Sequence, residues 1–219
     1  MKRRDPPNKR HASPKPRRTS NSNITEVAGL RIIGGKFRGR KVLYGGDLRT
    51  RPMKDRLREA VFNLIGTDIQ GAHAIDLFAG TGALGLEALS RGAVRATFIE
   101  QHYPTAAIIK QNIAALEVSE VSEVVPGNTF IWFRRQPELS QNPWVVFCSP
   151  PYDFYVELTA EMLELLGGMI AATPQKSVFV VEADDRFDFE LLPQPEIWDV
   201  RAYAPAIVGV MQKTQGAIE

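Results

Sequence analysis

AIDLFAGTGALGLEALSR, residues 74–91, is a short apolar strand that breaks into a glycine-rich turn and then into an amphipathic helix. Ala74 to Phe78 form the strand-like run, closed by Gly80. Gly80, Gly82 and Gly85 permit tight turning and close approach of a ligand to the backbone. The helix that follows presents unpaired N–H groups and the positive end of its dipole to that turn. Residues 80–85 fit G-x-G-x-x-G, so a nicotinamide dinucleotide is one candidate ligand. The turn alone does not choose between nucleotide-bearing cofactors, and the choice falls to the flanking chain.

The chain has 219 residues, 44% of them hydrophobic, enough for one domain with a real core plus an appendage. No apolar run approaches the roughly 18 residues of a membrane span, and the basic start lacks the apolar segment of a secretory signal. A soluble, cytoplasmic protein is expected. The single cysteine, Cys148, and three scattered histidines give neither a disulfide nor a zinc pattern, so no metal is expected.

The net charge of +2 conceals a split. Residues 1–58 hold 18 of the 27 Lys and Arg against four acids, a local net of +14, and the remainder carries −12. One end of the molecule is built to hold a polyanion. Residues 1–23, rich in Pro, Arg, Lys, Ser and Asn, read as a disordered basic tail. Order is expected from residue 24. Residues 30–33 and 40–43 form two short strands of a hairpin through GGKFRG, with Lys36, Phe37, Arg38 and Arg40 at or beside its tip. Residues 51–65 have helical apolar spacing, with Thr50 as cap and Pro52 in the first turn; Lys54, Arg56 and Arg58 occupy the other face. The domain is thus divided into a basic module over 24–66 and a core over 67–219.

Beyond the glycine turn, strands are predicted at 96–100, 121–125, 145–148 and 177–181, with helices at 104–116 and 153–166. Two late strands at 198–203 and 206–212, joined by a loop too short for a helix, must be antiparallel neighbours. The alternation predicts an α/β fold: a Rossmann-like, doubly wound, mostly parallel sheet with an antiparallel last strand, ligands lying at the carboxyl strand ends. Those ends carry the Gly80–Gly85 turn, Glu100 and Ser149-Pro150-Pro151-Tyr152. An acid such as Glu100, closing an apolar strand beyond the glycines, suits a pair of ribose hydroxyls.

The succession of basic hairpin (RIIGGKFRGRKV), arginine helix (RPMKDRLREAVFNLI), DLFAGTGALGLEALSR, IE and an x-P-P-Y tetrad resembles the RsmD-type methyltransferases over residues 30–212. That resemblance implies transfer of a methyl group from S-adenosylmethionine to the exocyclic N2 of a guanine in small-subunit (16S) ribosomal RNA. It implies that Asp76, Phe78, Gly80, Thr81 and Gly82 surround the methionine and ribose of the cofactor, that Glu100 binds the ribose hydroxyls and that Asn128 lies near the adenine. Ser149, Pro150, Pro151 and Tyr152 would form the target-base site. Lys36, Phe37, Arg38, Arg40, Arg51, Arg56 and Arg58 would contact RNA. The partner would be the ribosomal RNA or an assembling small subunit, and the protein a monomer.

The chain departs from the family at one position, where Ser149 replaces the usual Asp of the tetrad. A carboxylate acceptor contributes roughly 1.5–3 kcal/mol to a hydrogen bond, against about 0.5–1.5 for a neutral one. A hydroxyl orients the amine without supplying charge. The trimethylguanosine synthases, similar here with Ser-Pro-Pro-Trp, also act on guanine N2. The alternative is an inactive RNA-binding or assembly protein retaining the fold. Asp153 is expected to cap the following helix, and Cys148 to be core.

Overall fold

A computed structural model of the chain describes residues 30–45 and 52–213. The basic tail, Thr50 and Arg51 lie outside the described residues. Among the described residues, seven strands form one sheet: β1 (His73–Asp76), β2 (Arg95–Glu100), β3 (Ser122–Pro126), β4 (Trp144–Cys148), β5 (Val178–Ala183), β6 (Trp198–Tyr203) and β7 (Ala206–Gln212). Their order is β3-β2-β1-β4-β5-β7-β6. β1 to β5 are mutually parallel, and β7 runs antiparallel to both β5 and β6. Strand order reverses between β1 and β4, which opens a crevice at their carboxyl ends.

The central strands β1, β4 and β5 are buried along their length because both faces are covered, and their polar residues fall at or next to strand ends. Along β1, β4 and β5, side chains alternate between two cores: Ala74, Val145, Phe147, Val178 and Val180 face one, and Ile75, Val146, Cys148, Phe179 and Val181 the other. Three helices cover the first face: α1 (Asp55–Ile65), α2 (Ala83–Ser90) and α3 (Tyr103–Ala115). The second face carries α4 (Thr129–Arg134), α5 (Phe154–Glu157) and α6 (Thr159–Ala172). Leu30, Ile32 and Val42 of the basic module join the first core, so the module is packed into the domain rather than tethered to it.

The expected strands agree with the observed ones to within two residues. The helix expected at 104–116 is α3 to within a residue, but two other helical readings need correction. The helix expected from residue 51 starts at Asp55, after Lys54 in extended backbone, so Pro52 and Met53 precede it. The helix expected at 153–166 is two, α5 and α6, with Leu158 between them at φ −126°. Asp153 precedes α5 but makes no side-chain cap bond; its Oδ1 instead accepts from Arg186 at 2.9 Å. α4, absent from the sequence reading, is a one-and-a-half-turn helix too short to show a period. The basic hairpin forms, reduced to one bridge, Arg31 with Lys41, and flanking bonds from Ile32 N to Arg40 O and Val42 N to Leu30 O, each 2.9 Å. A 3-10 turn, Gly35–Phe37, closes its tip.

Candidate active site

β1 ends at Asp76, whose carboxylate is buried under the glycine turn. Oδ2 accepts from Gly85 N at 3.3 Å, and Oδ1 has no hydrogen-bond partner among the described residues. Burial pushes the Asp76 carboxyl up to about 7; the Gly85 N–H opposes this shift and the Glu100 carboxylate adds to it. Gly80 and Gly82 take φ of 50° and 74°, in the left-handed region that glycine occupies without penalty. Gly85 serves a different end: a Cβ there would lie 2.3 Å from Phe98 Cε1, so its absence lets α2 lie close on β2.

Glu100 closes β2 and holds the turn in place. Its Oε2 accepts from Gly80 N at 2.8 Å and its Oε1 from His102 N at 2.7 Å, leaving each oxygen a further lone pair. β3 delivers Asn128 alongside, through the bond from Gly127 N to Glu100 O at 2.9 Å. The Asn128 side chain caps α4 by accepting from Ile131 N at 3.1 Å, a local role that the sequence reading did not assign.

The tetrad follows β4, next to β1 in the sheet. Pro150 is buried, Pro151 exposed and Ser149 and Tyr152 half-buried. Cys148 is core as expected, and burial pushes its thiol up to about 12. The pairing of Cys148 with Val181 brings the next residues, Ser149 and Glu182, level across the sheet. Ser149 Oγ donates to Glu182 Oε2 in a short bond, and Tyr152 OH donates to Oε1 at 2.8 Å. Burial first and the Glu182 carboxylate second push the Tyr152 hydroxyl well above the usual phenol range, so Tyr152 remains a donor.

Glu182 is therefore the main residue of this site that the sequence reading missed. Its signal was present: an acid closing an apolar strand, FVVEA, the same pattern that singled out Glu100. Three half-buried rings were also missed in combination. Phe78 lies edge-on to Phe130 at 6.1 Å and to Phe154 at 5.9 Å, and Phe130 stacks with Phe154 at 6.4 Å. They link the glycine turn to the segment after the tetrad with an apolar wall.

The basic residues separate into two groups. Lys36, Arg38, Arg40 and Arg56 are exposed and Phe37 is half-buried, with Lys36 Nζ 4.7 Å from the Phe37 ring centroid. Arg58 does not belong with them. It is wholly buried, its Nη2 donating to Arg31 O at 2.6 Å and Asp55 Oδ1 at 2.9 Å and its Nη1 to Met53 O at 3.2 Å. It turns inward because position 58 falls on the packed face between Val61 and the hairpin, so its assignment to RNA contact is withdrawn.

A family model described as "Conserved hypothetical protein 95" matches residues 30–204. Ribosomal RNA small subunit methyltransferase D of Haemophilus influenzae is 34% identical over 169 residues, 77% of this chain and 84% of that protein. The chain belongs to the RsmD-type methyltransferase family. The Escherichia coli K12 protein of the same name is 42% identical over 123 residues, covering 56% of this chain and 60% of that one. The solved structure of Escherichia coli yhhF, 29% identical, superposes with a TM-score of 0.68 over 84% of this chain and 98% of its own. An RNA methyltransferase of Salinibacter ruber, solved with S-adenosyl-L-homocysteine, shares the fold at 17% identity, with a TM-score of 0.54 over 77% of this chain and 97% of that one. The fold and the order of family motifs along residues 30–204 thus agree with the sequence expectation.

Proposed function

We propose that this protein methylates the exocyclic N2 of a guanine in small-subunit ribosomal RNA, with S-adenosylmethionine as methyl donor. The observation that carries this reading is the adjacency, on neighbouring strands β1 and β4, of a glycine cradle and a Ser-Pro-Pro-Tyr tetrad backed by a buried carboxylate. Membership of the family and the names of the relatives support the ribosomal RNA substrate.

The residues fit the donor. Asp76 Oδ1 is a buried acceptor without a partner among the described residues, which a cationic amino group would satisfy. Glu100, fixed by two backbone N–H groups, would receive ribose hydroxyls on its remaining lone pairs. Thr81, Gly82 and Phe78 would line the methionine side, with Asn128 beside the adenine. When bound, S-adenosylmethionine supplies an electrophilic methyl group.

Guanine N2 is a poor nucleophile because its lone pair is delocalised into the ring. The protein must hold the amine by its hydrogens and aim the lone pair. Ser149 Oγ spends its own hydrogen on Glu182, which leaves its lone pairs to accept from the amine. The Pro150 carbonyl is a second acceptor, and the Tyr152 ring, steadied through its hydroxyl, a face for stacking on an extruded base. Fixed orientation of this kind supplies much of the rate. Lys36, Arg38, Arg40 and Arg56, with Phe37 among them, would grip phosphates and one base of the RNA. Arg51 and the tail at 1–23 would extend that grip.

The deciding experiment is methyl transfer from labelled S-adenosylmethionine to unmodified small-subunit RNA, followed by mass spectrometry of the nucleosides. N2-methylguanosine is expected; N6-methyladenosine would overturn the base assignment. The replacement at position 149 favours one second reading, an RNA-binding protein without activity, which predicts no transfer by the natural chain and activity on Ser149→Asp.

A further inference from the structure

Glu182 is 6% exposed, and both its oxygens receive hydroxyls, from Ser149 and Tyr152. Hydroxyls satisfy its hydrogen bonding but not its charge. The arginine four residues on, Arg186, pairs with Asp184 and Asp153 instead, at 2.8 and 2.9 Å. Among the described residues no cation pairs with Glu182, and a carboxylate kept out of water without one is costly; it is placed against Ser149, the tetrad position where the family usually carries a carboxylate. Such an anion best stabilises a positive charge that arrives from outside the chain.

We propose that Glu182, acting through Ser149, is the anionic acceptor of the target-base site: it polarises the Ser149 hydroxyl toward the guanine amine and takes up the proton the amine must shed. This inference rests on the reading of the tetrad as the target-base site. As the amine nitrogen bonds to the methyl carbon, the carbon–sulfur bond breaks and its electron pair stays on sulfur, leaving the nitrogen positive. One N–H proton then passes to Ser149 Oγ while the Ser149 hydroxyl proton passes to Glu182 Oε2. The nitrogen ends neutral, Ser149 is unchanged and Glu182 carries one proton, which it returns to water before the next turnover. The carboxylate that serves the site thus stands on the strand beside the loop after β4, with a hydroxyl as its extension. Tyr152, donating to Oε1, holds the carboxylate plane so that Oε2 faces Ser149, which makes Tyr152 a positioning residue as well as a stacking surface.

The test compares the natural protein with Glu182→Gln, Glu182→Asp, Ser149→Ala and the double variant Ser149→Asp with Glu182→Gln. Single-turnover methylation of unmodified small-subunit RNA is expected to fall at least about tenfold in Glu182→Gln and in Ser149→Ala, the scale of a lost charge-assisted bond. Glu182→Gln should remain folded, with a cooperative unfolding transition. The double variant should recover most of the rate, because it returns a carboxylate to the site from position 149. Glu182→Asp, which keeps the charge, should be milder than Glu182→Gln.

A second readout needs no methyl donor. Guanosine and inosine 5′-monophosphates differ only in the 2-amino group, and their binding is compared by ligand-observed NMR. The natural protein should prefer the guanosine nucleotide by roughly tenfold, and Glu182→Gln should lose that preference. Natural rates in a folded Glu182→Gln, an unchanged nucleotide preference, or failure of Ser149→Asp to rescue it would overturn the role of Glu182. Absence of methyl transfer to small-subunit RNA by the natural protein would instead overturn the proposed substrate, and the nucleotide comparison would still decide Glu182.

Discussion

Arg58 Nε lies 3.8 Å from Glu87 Oε2, and neither side chain is exposed to solvent. The pair sits where the basic module meets the helix that follows the glycine turn. Glu87 also accepts from Ile33 N and Gly34 N, each at 2.7 Å, and from Arg91 Nε at 2.8 Å. Burial lowers the Arg58 pKa, while the Asp55 and Glu87 carboxylates oppose that shift; the cation is retained because anions surround it.

Removing one member of such a buried pair strands the other. Glu87→Ala is expected to destabilise the protein by about 3–5 kcal/mol, read as a lowered urea midpoint with an unchanged slope. Amide hydrogen exchange should quicken first at Ile33 and Gly34. A loss under about 1 kcal/mol would mean that the pair behaves as a surface contact.

The exposed arginines should behave in the opposite way. Arg38→Ala and Arg56→Ala are each expected to weaken RNA binding and to lower the slope of log affinity against log salt by about 1, with stability nearly constant. Arg58→Ala should leave that slope in place and instead lower the unfolding midpoint. Salt-dependent filter binding and thermal unfolding, taken together, separate the two classes.

Asp76 sets a pH dependence in the cofactor-free protein. Its folded pKa, about 7, lies above its ordinary 3.8, so between those values the folded state binds more proton than the unfolded one. The stability this group contributes is fully present below about pH 3.8 and is lost as pH rises through 7. The difference in unfolding free energy between the natural protein and Asp76→Asn should therefore decline across that window and level off above it. A flat difference would place Asp76 in a better solvated site.

Two glycines should separate the functions of the two modules. Gly35 has φ of 73°, and a Cβ there would lie 1.9 Å from Ser90 O, a backbone atom; Gly35→Ala should undock the hairpin tip and weaken RNA binding. S-adenosylhomocysteine affinity should change by less than about threefold, because Gly35 touches only the far end of α2. Gly85→Ala, pressed against Phe98, should instead impair cofactor binding and cost about 1–3 kcal/mol of stability. Calorimetric titration with S-adenosylhomocysteine and with RNA checks both.

The sheet and the glycine cradle were legible because their signals are local: apolar runs bounded by glycines, and acids closing strands. The strand-like stretches around 198–203 and 206–212 likewise fall where β6 and β7 run. What escaped was decided by tertiary contact. Arg58 shares a helix face with Val61, Phe62 and Ile65, but its charge reads as surface until Glu87, 29 residues away in sequence, is seen to meet it. Asp153 carried the composition of a cap, but Arg186 outbid the α5 backbone for its carboxylate. Glu182 obeyed the rule that found Glu100, yet only the register of β4 against β5 shows that it meets Ser149.

Helix α2 joins the glycine cradle to the hairpin. Its opening turn lies on the cradle at Asp76 and Gly82, and its closing residues, Glu87 and Ser90, hold the hairpin: Ser90 Oγ accepts from Phe37 N at 2.9 Å and donates to Gly34 O at 2.5 Å. Eight residues at about 1.5 Å each make it a rigid spacer of about 12 Å. It acts as a ruler between the two modules, fixing how far the cradle at its first turn lies from the hairpin at its last.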